Sequence, residues 1–160
     1  MNGDPFLELA RVAPLLVGGI LLFAFFIFGA AMQPRYEEEE KRKRLVVIDD
    51  DELVRRGLKT LIETHTEFKV VGEAHTGAEG IRVVGACEPD VVVIDVKLAE
   101  MDGIETARKI KSLDPNIEIV GFSSPDDDAT GYIMKRAGAT ACLVKGDDPQ
   151  KIVTTISQLA

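Results

Sequence analysis

Between Leu45 and Val144 five short apolar runs alternate with stretches of helical spacing. The runs Leu45–Ile48 and Val91–Ile94 are unbroken Leu, Val and Ile, as in parallel strands covered by helices on both faces. Further strands are predicted over Lys69–Val71 (continuing toward Ala74), Ile117–Phe122 and Thr140–Val144. The intervening helices are predicted over about Glu52 to Glu63, Ala78 to Ala86, Ile104 to Ser112, Asp127 to Ala137 and Pro149 to Leu159. The first of these carries Leu53, Val54, Leu58, Leu61 and Ile62 on its apolar side. Pro89, Pro115 and Pro149 fall between elements or at a helix start, where proline is tolerated. Strands alternating with helices predict an α/β fold, a doubly wound five-stranded parallel sheet.

A different pattern precedes this domain. From Val12 to Met32 no residue is charged, and at about 1.5 Å rise per residue such a run matches a bilayer core of roughly 30 Å. A cleaved leader is the rival, with Gly29-Ala30-Ala31 as its small-residue site. The flank carrying Asp4, Glu8 and Arg11 lacks the usual positive charge, and the apolar run is long. The expectation is a short N-terminus over 1–11, a transmembrane helix over 12–32, a charged linker over 33–44 and the α/β domain over 45–160. Arg35, Lys41, Arg42, Lys43 and Arg44 follow the span, so the positive-inside rule predicts a single-pass protein of the cell inner membrane or plasma membrane, with its main domain cytoplasmic. Four Glu-first pairs at i,i+4, from Glu37–Lys41 to Glu40–Arg44, predict a helical linker.

Charge narrows the function. Residues 45–160 carry 13 basic and 21 acidic side chains, so no direct DNA binding is expected. Cys87 and Cys142 are too few for a disulfide scaffold and have no metal spacing, and neither His65 nor His75 sits in a ligand cluster.

The polar residues at the predicted strand ends carry the chemistry. Asp49 and Asp50 follow the first run, Asp95 the third, Ser123 the fourth and Lys145 the fifth. In a doubly wound sheet these ends converge on one crevice. Crowded carboxylates repel unless a divalent cation neutralises them, and hard oxygen donors suit Mg²⁺. One carboxylate can then attack phosphorus while the lysine balances the charge of the transferring group.

In Val46-Val47-Ile48-Asp49-Asp50, Pro89-Asp90-Val91-Val92-Val93-Ile94-Asp95, Met101-Asp102-Gly103, Phe122-Ser123 and Leu143-Val144-Lys145, the chain resembles the receiver domains of bacterial two-component response regulators. Asp51-Glu52-Leu53-Val54-Arg55-Arg56-Gly57-Leu58 is similar to receivers usually fused to helix-turn-helix outputs. The resemblance implies a flavodoxin-like strand order 2-1-3-4-5 and a phosphorelay function. Asp95 would be the phosphoacceptor for a sensor histidine kinase or phosphotransfer protein. Asp49, Asp50, Asp95 and the backbone carbonyl of Lys97 would hold Mg²⁺. Lys145 and Ser123 would contact the phosphoryl group, and Ser123 and Cys142 would stand at the switch positions. A homodimer through the fourth helix, fifth strand and fifth helix is a further implied partner. Only self-phosphorylation and self-dephosphorylation are expected, not enzymatic turnover of another substrate.

Some positions depart from that pattern. Cys142 stands where the family has a switch aromatic, and Ala99 replaces a common proline. Asp51 adds a third acid beside the metal pair, as a helix cap, while Lys97 and Pro125 occupy positions that tune phosphoryl lifetime. The chain ends at Ala160, so no output domain is expected in cis. Two rivals follow: a phosphate-independent interaction module, kept open by Cys142, and a haloacid-dehalogenase-type phosphatase. The latter would use Asp49 as nucleophile and Asp51 as general acid, with Ser123, Lys145 and Asp147-Asp148.

Overall fold

The computed structural model describes Phe23 and residues 42–99, 101–125 and 128–159. The expected span over 12–32 and the linker up to residue 41 lie outside the described residues, Phe23 apart. No helix among the described residues is long and apolar enough to cross a membrane.

The elements run β1 (Lys43–Ile48), α1 (Glu52–His65), β2 (Phe68–Ala74), α2 (Gly77–Cys87), β3 (Val91–Asp95), α3 (Gly103–Leu113), β4 (Glu118–Ser123), α4 (Asp128–Arg136), β5 (Ala141–Val144) and α5 (Pro149–Ser157). All strands are parallel, in the order β2-β1-β3-β4-β5. The continuous apolar runs hide a period of two. Val46, Ile48, Val92, Ile94 and Ile119 join one buried cluster with residues of α2, α3 and α4. Leu45, Val47, Val91, Val93, Val120, Phe122 and Leu143 join the other, with Leu58 and Ile62 of α1 and Ile152 and Ile156 of α5. Successive side chains point to opposite faces, and a strand covered on both sides must be apolar at every position.

Two expectations are corrected. Lys43 and Arg44, assigned above to a helical linker, belong to β1. The Arg44 amide donates to Asp90 Oδ2 at 2.7 Å, and its guanidinium donates to the Cys87 carbonyl at 2.9 and 2.7 Å. These cross-chain bonds outweigh the few tenths of a kcal/mol of an i,i+4 pair. Leu53, placed on the apolar side of α1, is 77% exposed, while Leu58 and Ile62 carry the packing.

Helix starts account for much of the acidity near the strand ends. Asp51, Asp102 and Asp148 cap α1, α3 and α5, their carboxylates accepting from backbone amides of the first turn. Thr76 does the same for α2.

Candidate phosphoacceptor site

The register places the site. Ile48 of β1 pairs with Ile94 of β3, so the next residues, Asp49 and Asp95, stand on neighbouring strands at the carboxyl edge. The strand order reverses between β1 and β3, which is where doubly wound sheets open a crevice. Asp49 and Asp95 are only 1% and 2% exposed, whereas Asp50 faces solvent. Oxygens of Asp49, Asp50 and Asp95 lie within 4.8 Å of one another.

Lys145 reaches into this cluster from the end of β5. Its Nζ donates to Asp95 Oδ2 at 2.7 Å and lies 2.9 Å from Asp49 Oδ2. The second contact is outside hydrogen-bonding alignment, so Asp49 Oδ2 is buried with no hydrogen-bond partner. Burial pushes the Asp49 carboxyl above its ordinary range, Lys145 and the Asp51 amide pull it back, and the Asp95 charge raises it further. Burial works the other way on Lys145, but its hydrogen bond to Asp95 and its ion pair with Asp49 prevail and hold the ammonium above its usual value.

The backbone aims the remaining atoms. Asp95 Oδ1 accepts from the Lys97 amide at 3.0 Å, and Asp49 Oδ1 from the Asp51 amide at 2.9 Å. Helix α3 presses close to β3 and its exit: a Cβ on Gly103 would stand 2.1 Å from the Asp95 carbonyl oxygen and 2.8 Å from Val96 Cα. Ser123 is buried and donates its hydroxyl to the Leu143 carbonyl at 3.4 Å. Cys142 lies on the α4 side of the sheet, its Sγ 3.5 Å from the Gly131 carbonyl, and burial pushes its thiol pKa up.

The loop that carries Lys145 is closed by Asp147. Its Oδ2 accepts from the Val144 amide and its Oδ1 from Lys151 Nζ, each at 2.8 Å. The Lys151 bond first, then the Val144 bond, lowers the carboxyl below its ordinary range. A lowered carboxyl stabilises the fold above its unfolded pKa of about 3.9 and loses that contribution as pH falls through the folded value. Asp147→Asn is therefore expected to lower the urea midpoint at pH 7, and the gap from wild type to narrow below about pH 4. A gap that stays constant between those pH values would show that the charge does not act.

Asp49, Asp50, Asp95 and Lys145 come together at the crevice, while Ser123 ends β4 at the same edge with its hydroxyl turned toward β5. The phosphatase arrangement is not assembled. Asp51 Oδ1 is engaged by the Leu53 and Val54 amides at 2.8 and 3.4 Å, and Asp148 Oδ1 by the Gln150 amide at 2.8 Å. Those acids cap helices, and the general-acid role expected of Asp51 is corrected accordingly. Two contributors escaped the sequence reading. Gly103 stands within Met101-Asp102-Gly103, and Arg55, whose Nη1 donates to the Asp49 carbonyl at 2.7 Å, within the segment Asp51 to Leu58, with no separate role expected of either. A basic residue one turn into the helix after an acid pair was the available signal.

The donor chemistry fits a hard divalent cation: three carboxylates against one ammonium, with one buried oxygen lacking a hydrogen bond. A parallel sheet of this order, with an aspartate, a lysine and an acid pair at its carboxyl edge, defines an α/β domain of the flavodoxin-like class. The pattern of the response regulator receiver domain matches residues 45–157, and the chain belongs to that family. It is 39% identical over 107 residues to the transcriptional regulatory protein LiaR of Bacillus subtilis, covering 66% of this chain and 50% of LiaR. It is 31% identical over 107 residues to the chemotaxis protein CheY of Thermotoga maritima, covering 67% and 88%. A LuxR-family two-component response regulator from Aurantimonas superposes with a TM-score of 0.70 at 32% identity, over 74% of this chain and 85% of that one. The chain spans about half the length of most curated relatives that it matches, LiaR among them.

Proposed function

We propose that Asp95 accepts a phosphoryl group from a phosphohistidine of a sensor histidine kinase or phosphotransfer protein, and that residues 12–32 hold this receiver at a membrane. The observation that carries the first part is the position of Lys145, 2.7 Å from Asp95 Oδ2 and 2.9 Å from Asp49 Oδ2. An ammonium there balances charge on a phosphoryl group arriving at Asp95. An Asp95 oxygen attacks phosphorus, the P–N bond breaks with its electron pair passing to the imidazole, and an acyl phosphate remains. Asp49, Asp50, Asp95 and the Lys97 carbonyl would hold Mg²⁺, which when bound would supply the remaining charge neutralisation. Hydrolysis of the acyl phosphate returns the carboxylate, so the chain is a switch and turns over no other substrate.

The switch follows from the added charge. Ser123 leaves the Leu143 carbonyl and turns its hydroxyl toward the phosphoryl group, which changes the packing of β4 and β5 against α4. Cys142 takes the place of a swinging ring, so the motion is carried by backbone and α4 contacts.

The test is intact mass after incubating the full chain, in detergent micelles, with acetyl phosphate and Mg²⁺. A phosphoryl adduct that needs Mg²⁺ and Asp95 supports the proposal; its absence in wild type favours the phosphate-independent module. The anchor rests on the uncharged run from Val12 to Met32 and the basic residues after it. Expressed in bacteria, the chain is expected to stay with membranes after alkaline carbonate extraction. Complete release into the supernatant would remove the anchor from the proposal.

A further inference from the structure

Asp49 is restrained through its backbone as well as its carboxylate. Its amide donates to the Ala74 carbonyl of β2 at 3.1 Å, and Oδ1 accepts from the Asp51 amide at 2.9 Å. Its carbonyl oxygen accepts from Arg55 Nη1 at 2.7 Å. Arg55 lies in the first turns of α1 and reaches back past the helix start, its side chain only 16% exposed.

A half-buried guanidinium on the main chain of the cluster is an unexpected choice, because a nearby cation opposes binding of another. Its charge is matched on the far side. Glu73 Oε2 of β2 stands 3.9 Å from Arg55 Nε, and Glu73 Oε1 pairs with Lys59 Nζ at 3.2 Å. The guanidinium is thus tethered to β2 while one nitrogen points at the Asp49–Asp50 peptide. That peptide is planar, so holding its oxygen restrains the plane, and with it the backbone torsions on either side from which the two carboxylates branch.

Given the phosphoacceptor function proposed above, we infer that Arg55 is a positioning residue for the divalent cation, acting through the Asp49 carbonyl to orient the Asp49 and Asp50 carboxylates. Simple charge repulsion and positioning predict opposite signs. Removing a cation beside the cluster should tighten Mg²⁺ binding if only charge matters. Loss of the clamp should weaken it.

The experiment is calorimetric titration of the full chain, in detergent micelles, with MgCl₂ for wild type, Arg55→Met and Arg55→Lys, with folding checked by circular dichroism. Arg55→Met is expected to weaken Mg²⁺ binding about tenfold, as loss of a charged hydrogen bond would. Arg55→Lys, which keeps the charge but not the fork, is expected to weaken it about threefold. Affinity equal to or tighter than wild type in Arg55→Met overturns the inference. Should that variant fail to fold, unchanged affinity in Arg55→Lys overturns it. Wild-type protein that takes up no Mg²⁺ would bring down the metal-dependent function together with this inference, whereas wild-type uptake with unaltered variants brings down the inference alone.

Discussion

Replacing Asp95 with asparagine is expected to abolish the Mg²⁺-dependent phosphoryl adduct and to stabilise the metal-free fold. The two side chains have the same shape, and an amide oxygen can still accept from the Lys97 amide or from Lys145. The nucleophile is lost, because an uncharged amide does not attack phosphorus at neutral pH. The stability effect has a separate origin. Wild type holds three carboxylates around one ammonium, and the Asp95 charge is one of the causes that raise the Asp49 carboxyl, after burial. Removing it relieves repulsion, a gain on the order of 1 kcal/mol. Urea unfolding in the presence of a chelator should show a higher midpoint for Asp95→Asn. Saturating Mg²⁺ should then favour wild type, because a ligand stabilises the state it binds in proportion to its affinity. An adduct that survives the substitution would move the acceptor elsewhere and end the assignment of Asp95. A lower midpoint without metal would mean that the Lys145 bond outweighs the repulsion.

Gly103→Ala is the second large effect. The added methyl would meet the Asp95 carbonyl oxygen at 2.1 Å, Val96 Cα at 2.8 Å and the Asp95 carbonyl carbon at 3.0 Å. These are backbone atoms of β3 and its exit, and they cannot rotate away as a side chain does. Helix α3 must lift or β3 must bend, and either displaces a segment whose neighbours Ala107 and Ile110 are fully buried. A cost of about 3 kcal/mol is expected, at the upper end for overpacking, which corresponds to a fall of about 10 °C in the thermal midpoint. Adduct formation should slow as well, since Gly103 also donates its amide to the Val96 carbonyl at 3.1 Å. A midpoint within about 1 °C of wild type would show that α3 can move aside without cost.

Legibility differed by kind of information. The five apolar runs reported the strands because a strand buried on both faces leaves no position for a polar residue. Asp95, the acid pair, the serine and the lysine were legible as strand-end residues because each directly follows such a run. Boundaries were less legible. Lys43 and Arg44 read as part of a charged linker, yet pair in β1 opposite Phe68 and Lys69 of β2, and the partners that hold Arg44, Asp90 and the Cys87 carbonyl, lie more than forty residues away. Leu53 read as core, but a helix that begins at Glu52 turns that position outward.

By itself the sequence determined the fold class, the order of elements and the identity of the four charged side chains that meet at the crevice, Asp49, Asp50, Asp95 and Lys145. Tertiary structure alone decided how those side chains divide their work. Register between β1 and β3 made Asp49 and Asp95 neighbours, and the reach of Lys145 joined them to β5. Packing left one oxygen of Asp49 without a hydrogen bond. Asp51, Asp102, Asp147 and Asp148, as acidic as the functional set, were consumed by backbone amides or a neighbouring lysine. A carboxylate has the same letter whether it caps a helix or faces a phosphoryl group. Only the three-dimensional arrangement of amides and ammonium groups around it settles which it does.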